Sequence, residues 1–231
     1  MHIENIYILL FNVFDVMDRV ECIRTACRIT DDIFSEILRH LEEFRNEKDI
    51  DRFIRKECRK RKVKISFRPI VASGKNGARP HHYAAGKRLE GFCVIDFGVK
   101  VNGYCSDMTR TFVFGKPTKE QKKMIDTVLE AQQKTIESVR NKACDVDKAA
   151  RDYIKSQGYP DIPHSVGHGI GLEVHEHPHI SKKSKEVLKN GMVFSIEPGI
   201  YLHGFGGVRI EDLFVLENNR LRKLTNGLSQ N

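Results

Sequence analysis

Four carboxylates recur at matching positions in this 231-residue chain. Asp96 ends the apolar run Gly91-Phe-Cys-Val-Ile-Asp96, and Glu197 ends Gly191-Met-Val-Phe-Ser-Ile-Glu197. Each leads through a glycine-containing turn (Gly98–Gly103 and Gly199–Gly207) to a second acid before an apolar strand, Asp107 and Glu211 respectively. An acid inside an apolar strand is costly to bury unless it is paired or bound to a cation. One such acid is ordinarily a turn or salt-bridge residue, but four at mirrored positions are not explained that way. If each segment is a hairpin bent by its glycines, the two hairpins converge four anions, and two divalent cations would neutralise them.

The stretch His164-Ser-Val-Gly-His168-Gly-Ile-Gly-Leu-Glu-Val-His175-Glu-His177-Pro-His179 supplies nitrogen donors. Gly167, Gly169 and Gly171 allow close backbone approach, with His168 as the natural ligand at their centre. These glycines lack the Lys-Ser/Thr of a phosphate loop and do not lie in a strand–helix unit. Four oxygen ligands and one nitrogen favour Mn²⁺, Co²⁺ or Fe²⁺, with Zn²⁺ admissible. Two ions about 3.5–4 Å apart can share a hydroxide, polarise a carbonyl and stabilise a tetrahedral intermediate. Spare histidines can supply hydrogen bonds or protons at neutral pH. The chemistry implied is hydrolysis.

Elements that would carry these residues can be read from periodicity. Three- and four-residue apolar steps from Asp18 to Phe44 predict a long amphipathic helix, and a second begins near Asp49 with Ile50, Phe53, Ile54 and Cys58 on one face. Strands are expected at Val63–Ala72, ending at Asp96, at Thr109–Phe114, around Met192–Glu197, at Val208–Leu216 and at Leu221–Leu224. Thr118-x-x-Gln121 is a capping box opening a helix, and another helix from about Asp145 stops at Gly158. The order helices, strand, hairpin occurs twice, which predicts two similar halves about a pseudo-twofold axis. Residues 18–231 then form one domain behind a 1–17 extension, whose apolar run Ile6–Phe14 reads as a buried strand or an oligomer contact.

With 40% hydrophobic and 30% charged residues, the composition excludes a disordered, collagen-like or disulfide-scaffold chain. The formal charge of +8 comes largely from Arg55, Lys56, Arg59, Lys60, Arg61, Lys62 and Lys64, which surround the single acid Glu57. A solvated helix face explains that run, and an RNA or ribosome contact is the alternative. Six cysteines without a Cys-x-x-Cys pair suit a reducing, cytoplasmic setting. The run Ile6–Phe14 is too short to span a membrane and lacks the flanks of a signal peptide.

Taken together, Ile-Asp96-Phe-Gly, Tyr104-Cys-Ser-Asp107-Met-Thr-Arg-Thr-Phe, Gly167-His168-Gly-Ile-Gly-Leu-Glu-Val-His175-Glu, Ile196-Glu197-Pro-Gly and Gly207-Val-Arg-Ile-Glu211-Asp resemble the pita-bread metallopeptidases. That family comprises aminopeptidase P, prolidase, creatinase and methionine aminopeptidase, and the resemblance covers nearly all of Asp18–Leu216. It implies an α+β fold of two related halves, with helices outside a curved antiparallel sheet. It implies two metal ions held by Asp96, Asp107, His168, Glu197 and Glu211, with Asp107 and Glu211 bridging, Asp96 completing one shell, and His168 and Glu197 the other. Glu197 is then both ligand and catalytic residue.

By the same resemblance His82, directly before Tyr83, matches the histidine near the substrate amine and leaving group, with His81 as the alternative. His175 matches the one that hydrogen-bonds the scissile carbonyl, His164 a further substrate-pocket histidine, and Arg209 the arginine of the proline-specific branch. The expected activity is removal of an N-terminal residue ahead of proline, by a metal-bridged hydroxide. The substrate is thus a peptide with proline second, and a homodimer is a further expectation.

Methionine aminopeptidases usually carry Gln where Arg209 stands, two residues before the last glutamate. Only about seventeen residues precede the first family-like helix, where aminopeptidase P and prolidase have an entire domain. That leaves dipeptidase and aminopeptidase both open and keeps removal of initiator methionine as the alternative. A non-catalytic peptide-, histone- or RNA-binding member would generally have lost metal ligands, and all five positions are filled here.

Overall fold

Helix α1 (Ile3–Arg39) buries Ile23, Cys27, Thr30, Phe34 and Ile37 on one face, as their three- and four-residue spacing requires. A computed structural model describes residues 3–139 and 142–226, with side chains from residue 19 onward. The strand expected at 6–14 is part of α1 instead. A short apolar run has no periodicity that separates strand from helix, and here it continues the helical pattern that follows. Its side chains lie outside the described residues, and so does the oligomer contact expected there.

The helix stops before Phe44 because Leu41–Glu43 tightens into a 3-10 turn and Asn46 and Asp49 form a capping box. That box opens α2 (Glu47–Lys60) and places Glu47, completely buried, in its first turn. Helix α2 buries Ile50, Ile54 and Cys58, while Lys56, Arg59, Lys60 and Lys62 face solvent. Arg55 and Arg61 are spent on Asp51 and Glu57 of the same helix. The basic run is therefore the solvated side of an amphipathic helix and its C-terminal extension.

The first half continues with β1 (Lys64–Ile65), β2 (Ile70–Ser73), β3 (Gly91–Phe97), β4 (Val99–Val101), β5 (Tyr104–Cys105) and β6 (Met108–Phe114). Pro69 cannot donate to a ladder, which divides the single strand expected over Val63–Ala72 into β1 and β2. Strands β2-β3-β6 form an antiparallel sheet, with Asp96 opposite Thr109. Gly98 turns the chain out of β3; a Cβ there would lie 1.8 Å from Ser106 O, so only glycine lets the hairpin fold this close to Asp107.

The second half opens with α3 (Lys119–Ser138), started by the Thr118–Gln121 capping box, and α4 (Ala143–Ser156). It continues with β7 (Gly167–Gly169), β8 (Glu176–Ile180), β9 (Val193–Ile196), β10 (Gly199–Leu202), β11 (Gly206–Arg209), β12 (Asp212–Glu217) and β13 (Arg220–Lys223). The sheet order is β13-β12-β9-β7-β8, with β10 and β11 as a separate hairpin. The strand expected over Val208–Leu216 breaks at Ile210-Glu211, where the chain passes between the two.

Helices α1 and α2 pack through Phe34, Ile37 and Ile54 against Ile95 and Phe97, and α4 packs Val146 into a cluster with Phe194 and Phe214. Helices thus lie outside antiparallel sheets in both halves. The halves correspond where the chemistry sits: Asp96 lies in the last two residues of β3 and Glu197 directly follows β9, while Asp107 precedes β6 as Glu211 precedes β12. They are stitched together there, with Glu211 N donating to Thr109 O at 3.1 Å and Thr111 Oγ1 to Arg209 O at 2.9 Å. No described helix is long and apolar enough to cross a membrane.

Candidate metal centre

Where the two sheets meet, one oxygen from Asp107, one from Glu211 and a ring nitrogen of His168 all lie within 4.8 Å of one another. His168 Nε2 is 3.4 Å from Glu197 Oε1 and 3.7 Å from Asp107 Oδ2. Its Nδ1 lies 3.1 Å from Gly169 O. A carbonyl only accepts, so that contact places the proton on Nδ1 and leaves the Nε2 lone pair facing the acids. The tight glycine backbone makes this possible: a Cβ on Gly167 would lie 2.1 Å from Ser195 O, and one on Gly169 would lie 2.1 Å from His177 O.

Glu211 and Asp96 each divide their oxygens between a partner and none. Thr109 Oγ1 donates to Glu211 Oε2 at 2.6 Å, and Arg209 Nη2 donates to Asp96 Oδ2 at 2.6 Å. Asp96 Oδ1, Asp107 Oδ1 and Glu211 Oε1 are buried with no hydrogen-bond partner. Burial, joined by mutual repulsion, pushes Asp107 and Glu211 well above the ordinary carboxylate range. Glu197 is raised to about 8, first by burial, with Arg209 opposing and Asp96 adding to it. Orphaned carboxylate oxygens beside an imidazole lone pair are the donor set of a divalent cation, and the residues present fit one.

Around this centre lies a cavity of about 450 Å³ lined by all five expected ligands and by His164, His175 and Arg209. Arg209 is 3% exposed and reaches, besides Asp96, Thr109 Oγ1, Pro80 O and the Tyr201 hydroxyl at 3.0 Å. The His164 Nδ1–H donates to Ser165 O, so Nε2, 2.8 Å from Tyr201 OH, accepts from it. Burial lowers His164 to about 3, which keeps that acceptor neutral. The His175 ring stands 4.3 Å from that of His168, and burial lowers its pKa too.

His82 is the one expected site residue that the structure keeps off the cavity. His81 and Tyr83 line it, and His82 between them packs against Glu47, with Nε2 3.2 Å from Glu47 Oε2. The two lie in a turn, closed by His82 N donating to Arg79 O at 3.1 Å. Glu47 itself was not singled out in the sequence. It also accepts from Ser73 N, Asn76 Nδ2 and Ala85 N, pinning the loop that carries His81. The signal was available in the Asn46-x-x-Asp49 capping box, which puts Glu47 inside the helix. In the second half Arg151, paired with Asp147, donates to Ile162 O and His164 O and holds the His164 loop likewise. Nothing in the local sequence marks Tyr201.

Helices outside antiparallel sheets that converge carboxylates and histidines on a cavity define the pita-bread class of fold. The chain belongs to metallopeptidase family M24, whose pattern matches residues 21–218. It is 39% identical over 219 residues to the Xaa-Pro dipeptidase of Pyrococcus furiosus, which covers 92% of this chain and 63% of that protein. The prolidase from Thermococcus sibiricus superposes with a TM-score of 0.88 at 40% identity, over 93% of this chain and 60% of that one. The X-Pro aminopeptidase from Thermotoga maritima gives 0.88 at 37% identity, over 93% and 62%. The chain thus spans 60 to 63% of the length of these relatives.

Proposed function

We propose that the chain is a metal-dependent exopeptidase that hydrolyses the bond between an N-terminal residue and a following proline. The observation that carries this reading is the buried set of orphaned acid oxygens, one of which, Glu211 Oε1, lies 3.9 Å from His168 Nε2. The relatives named for Xaa-Pro dipeptidase and X-Pro aminopeptidase activity supply the substrate class. Asp96, Asp107, His168, Glu197 and Glu211 would hold two divalent ions, Mn²⁺ or Co²⁺ by donor chemistry, with Fe²⁺ and Zn²⁺ admissible. When bound, such ions polarise a carbonyl and acidify water.

The remaining tasks fall to the chain. The acids at the floor attract the substrate ammonium, and Phe67, Ile70 and Val174 offer an apolar wall for a pyrrolidine ring. His175 and His81, both on the cavity, are the groups to hydrogen-bond the scissile carbonyl and the leaving nitrogen. The hydroxyl of Tyr201 fixes the ring of His164, and Arg209 holds Asp96 in place. Glu197, next to His168, is the carboxylate to accept a proton at Oε1.

The test is a panel of Ala-Pro, Ala-Pro-Gly and Met-Ala-Ser assayed on the purified chain with Mn²⁺ or Co²⁺. Cleavage confined to the Met peptide would replace this reading with removal of initiator methionine.

A further inference from the structure

The floor of the cavity is anionic, and its described lining includes a cation that no carboxylate holds. Two arginines line the cavity. Arg209 is buried and engaged with Asp96, Thr109, Tyr201 and Pro80. Arg68 is exposed, and its guanidinium carbon sits 4.0 Å from the centroid of the Tyr83 ring. Among the described residues that ring is its partner, and no carboxylate is paired with it.

The seat is built by the backbone. Tyr83 bridges Ile70 in antiparallel register, which brings its ring under the residue two positions before Ile70. Pro69 restrains Arg68 to extended geometry. A guanidinium held over an aromatic face is positioned without using its N–H groups on another acceptor, and these can receive a planar, bidentate anion.

We propose that Arg68, held on Tyr83, receives the free C-terminal carboxylate of the substrate, so that the preferred substrate is a dipeptide. The assignment rests on the exopeptidase reading above. A dipeptide is a zwitterion whose ammonium end suits the acidic floor and whose carboxylate end suits the cationic mouth. The apolar wall of Phe67 and Ile70 lies alongside for the ring of a second-position proline. A longer peptide has no anion at that distance from its N-terminus and gains nothing from Arg68.

The experiment compares kcat/KM for each acid with that for its amide in the Mn²⁺-loaded full chain, using Ala-Pro against Ala-Pro amide and Met-Ala against Met-Ala amide. The wild type is expected to prefer the acid by roughly tenfold, the scale of one charge-assisted hydrogen bond at an open rim, expressed in KM. In R68A the ratio falls to near one, and R68K restores part of it. An acid-to-amide ratio that R68A leaves unchanged overturns the proposal, as does a wild-type ratio near one. Preference for Met-Ala over Ala-Pro defeats the Xaa-Pro reading alone, because the ratio within either pair still decides the role of Arg68. The same ratio is read by calorimetric binding of acid and amide to the metal-free chain, so absence of turnover does not leave the question undecided.

Discussion

His82 Nε2 meets Glu47 Oε2 at 3.2 Å, and this contact hands the cavity to His81. The two histidines are adjacent, so the pair makes a sharp functional contrast. His81→Gln is expected to lower kcat/KM by about a hundredfold or more, the usual scale for a displaced proton-transfer group. His82→Gln should cost stability with a much smaller kinetic effect. Steady-state kinetics and thermal unfolding of both variants check this, and a reversed ranking would restore His82 as the cavity residue.

Glu47→Gln keeps the side-chain volume but turns one acceptor oxygen into a donor facing donors. Four groups lose their common anion. The expected loss is about 2 kcal/mol of unfolding free energy in urea titrations. Because the 73–85 loop carries His81, kcat should fall as well. Stability within a few tenths of a kcal/mol of wild type would show that the loop does not depend on Glu47.

Asp107→Asn separates two effects that normally travel together. Without metal, the substitution removes a buried carboxyl whose ionisation the folded state resists and the unfolded state does not, so the melting temperature in EDTA at pH 7 should rise. With Mn²⁺ added, the upward shift that ligand binding confers on the wild type should be largely lost. Thermal unfolding with and without metal reads both signs, and an undiminished metal-induced shift would remove Asp107 from the ligand set.

In the metal-free chain Glu197 titrates at about 8 instead of 4.5, so the folded state holds a proton there that the unfolded state has released. Stability contributed by that proton is fully present below 4.5 and is lost as pH rises towards 8. Asp107 and Glu211 are raised as well and act in the same direction. Melting temperatures in EDTA should therefore fall across this interval, while the stabilisation by added Mn²⁺ grows as protons cease to compete. A rise of the EDTA melting temperature with pH over the same range would contradict the raised acids.

The cluster was legible because its cost is written locally. Asp96 and Glu197 end runs of buried apolar residues, and Gly98, where a Cβ would meet the backbone of Ser106, stands beside Asp96. Helices with a cap and a full apolar stripe, such as α3, were equally readable. Choices settled by partners far along the chain were not. Whether His81 or His82 enters the cavity depends on Glu47, about thirty-five residues away, and the usual motif spacing says nothing of it. Tyr201 earns its place only through Arg209 and His164. The apolar run at 6–14 lacked any alternation that could mark it as strand or helix, and continuity with α1 decided it.

The bond between Glu211 N and Thr109 O crosses from one half of the molecule to the other, and the ligands are shared out across the same seam. Asp96 and Asp107 belong to the part before α3, whereas His168, Glu197 and Glu211 belong to the part after it begins. A chain cut in the loop at 115–118 would therefore yield two fragments, each with too few donors to hold the ions well. Metal would act as the cement between them, and its uptake would report reassembly: neither fragment alone should titrate, and the mixture should.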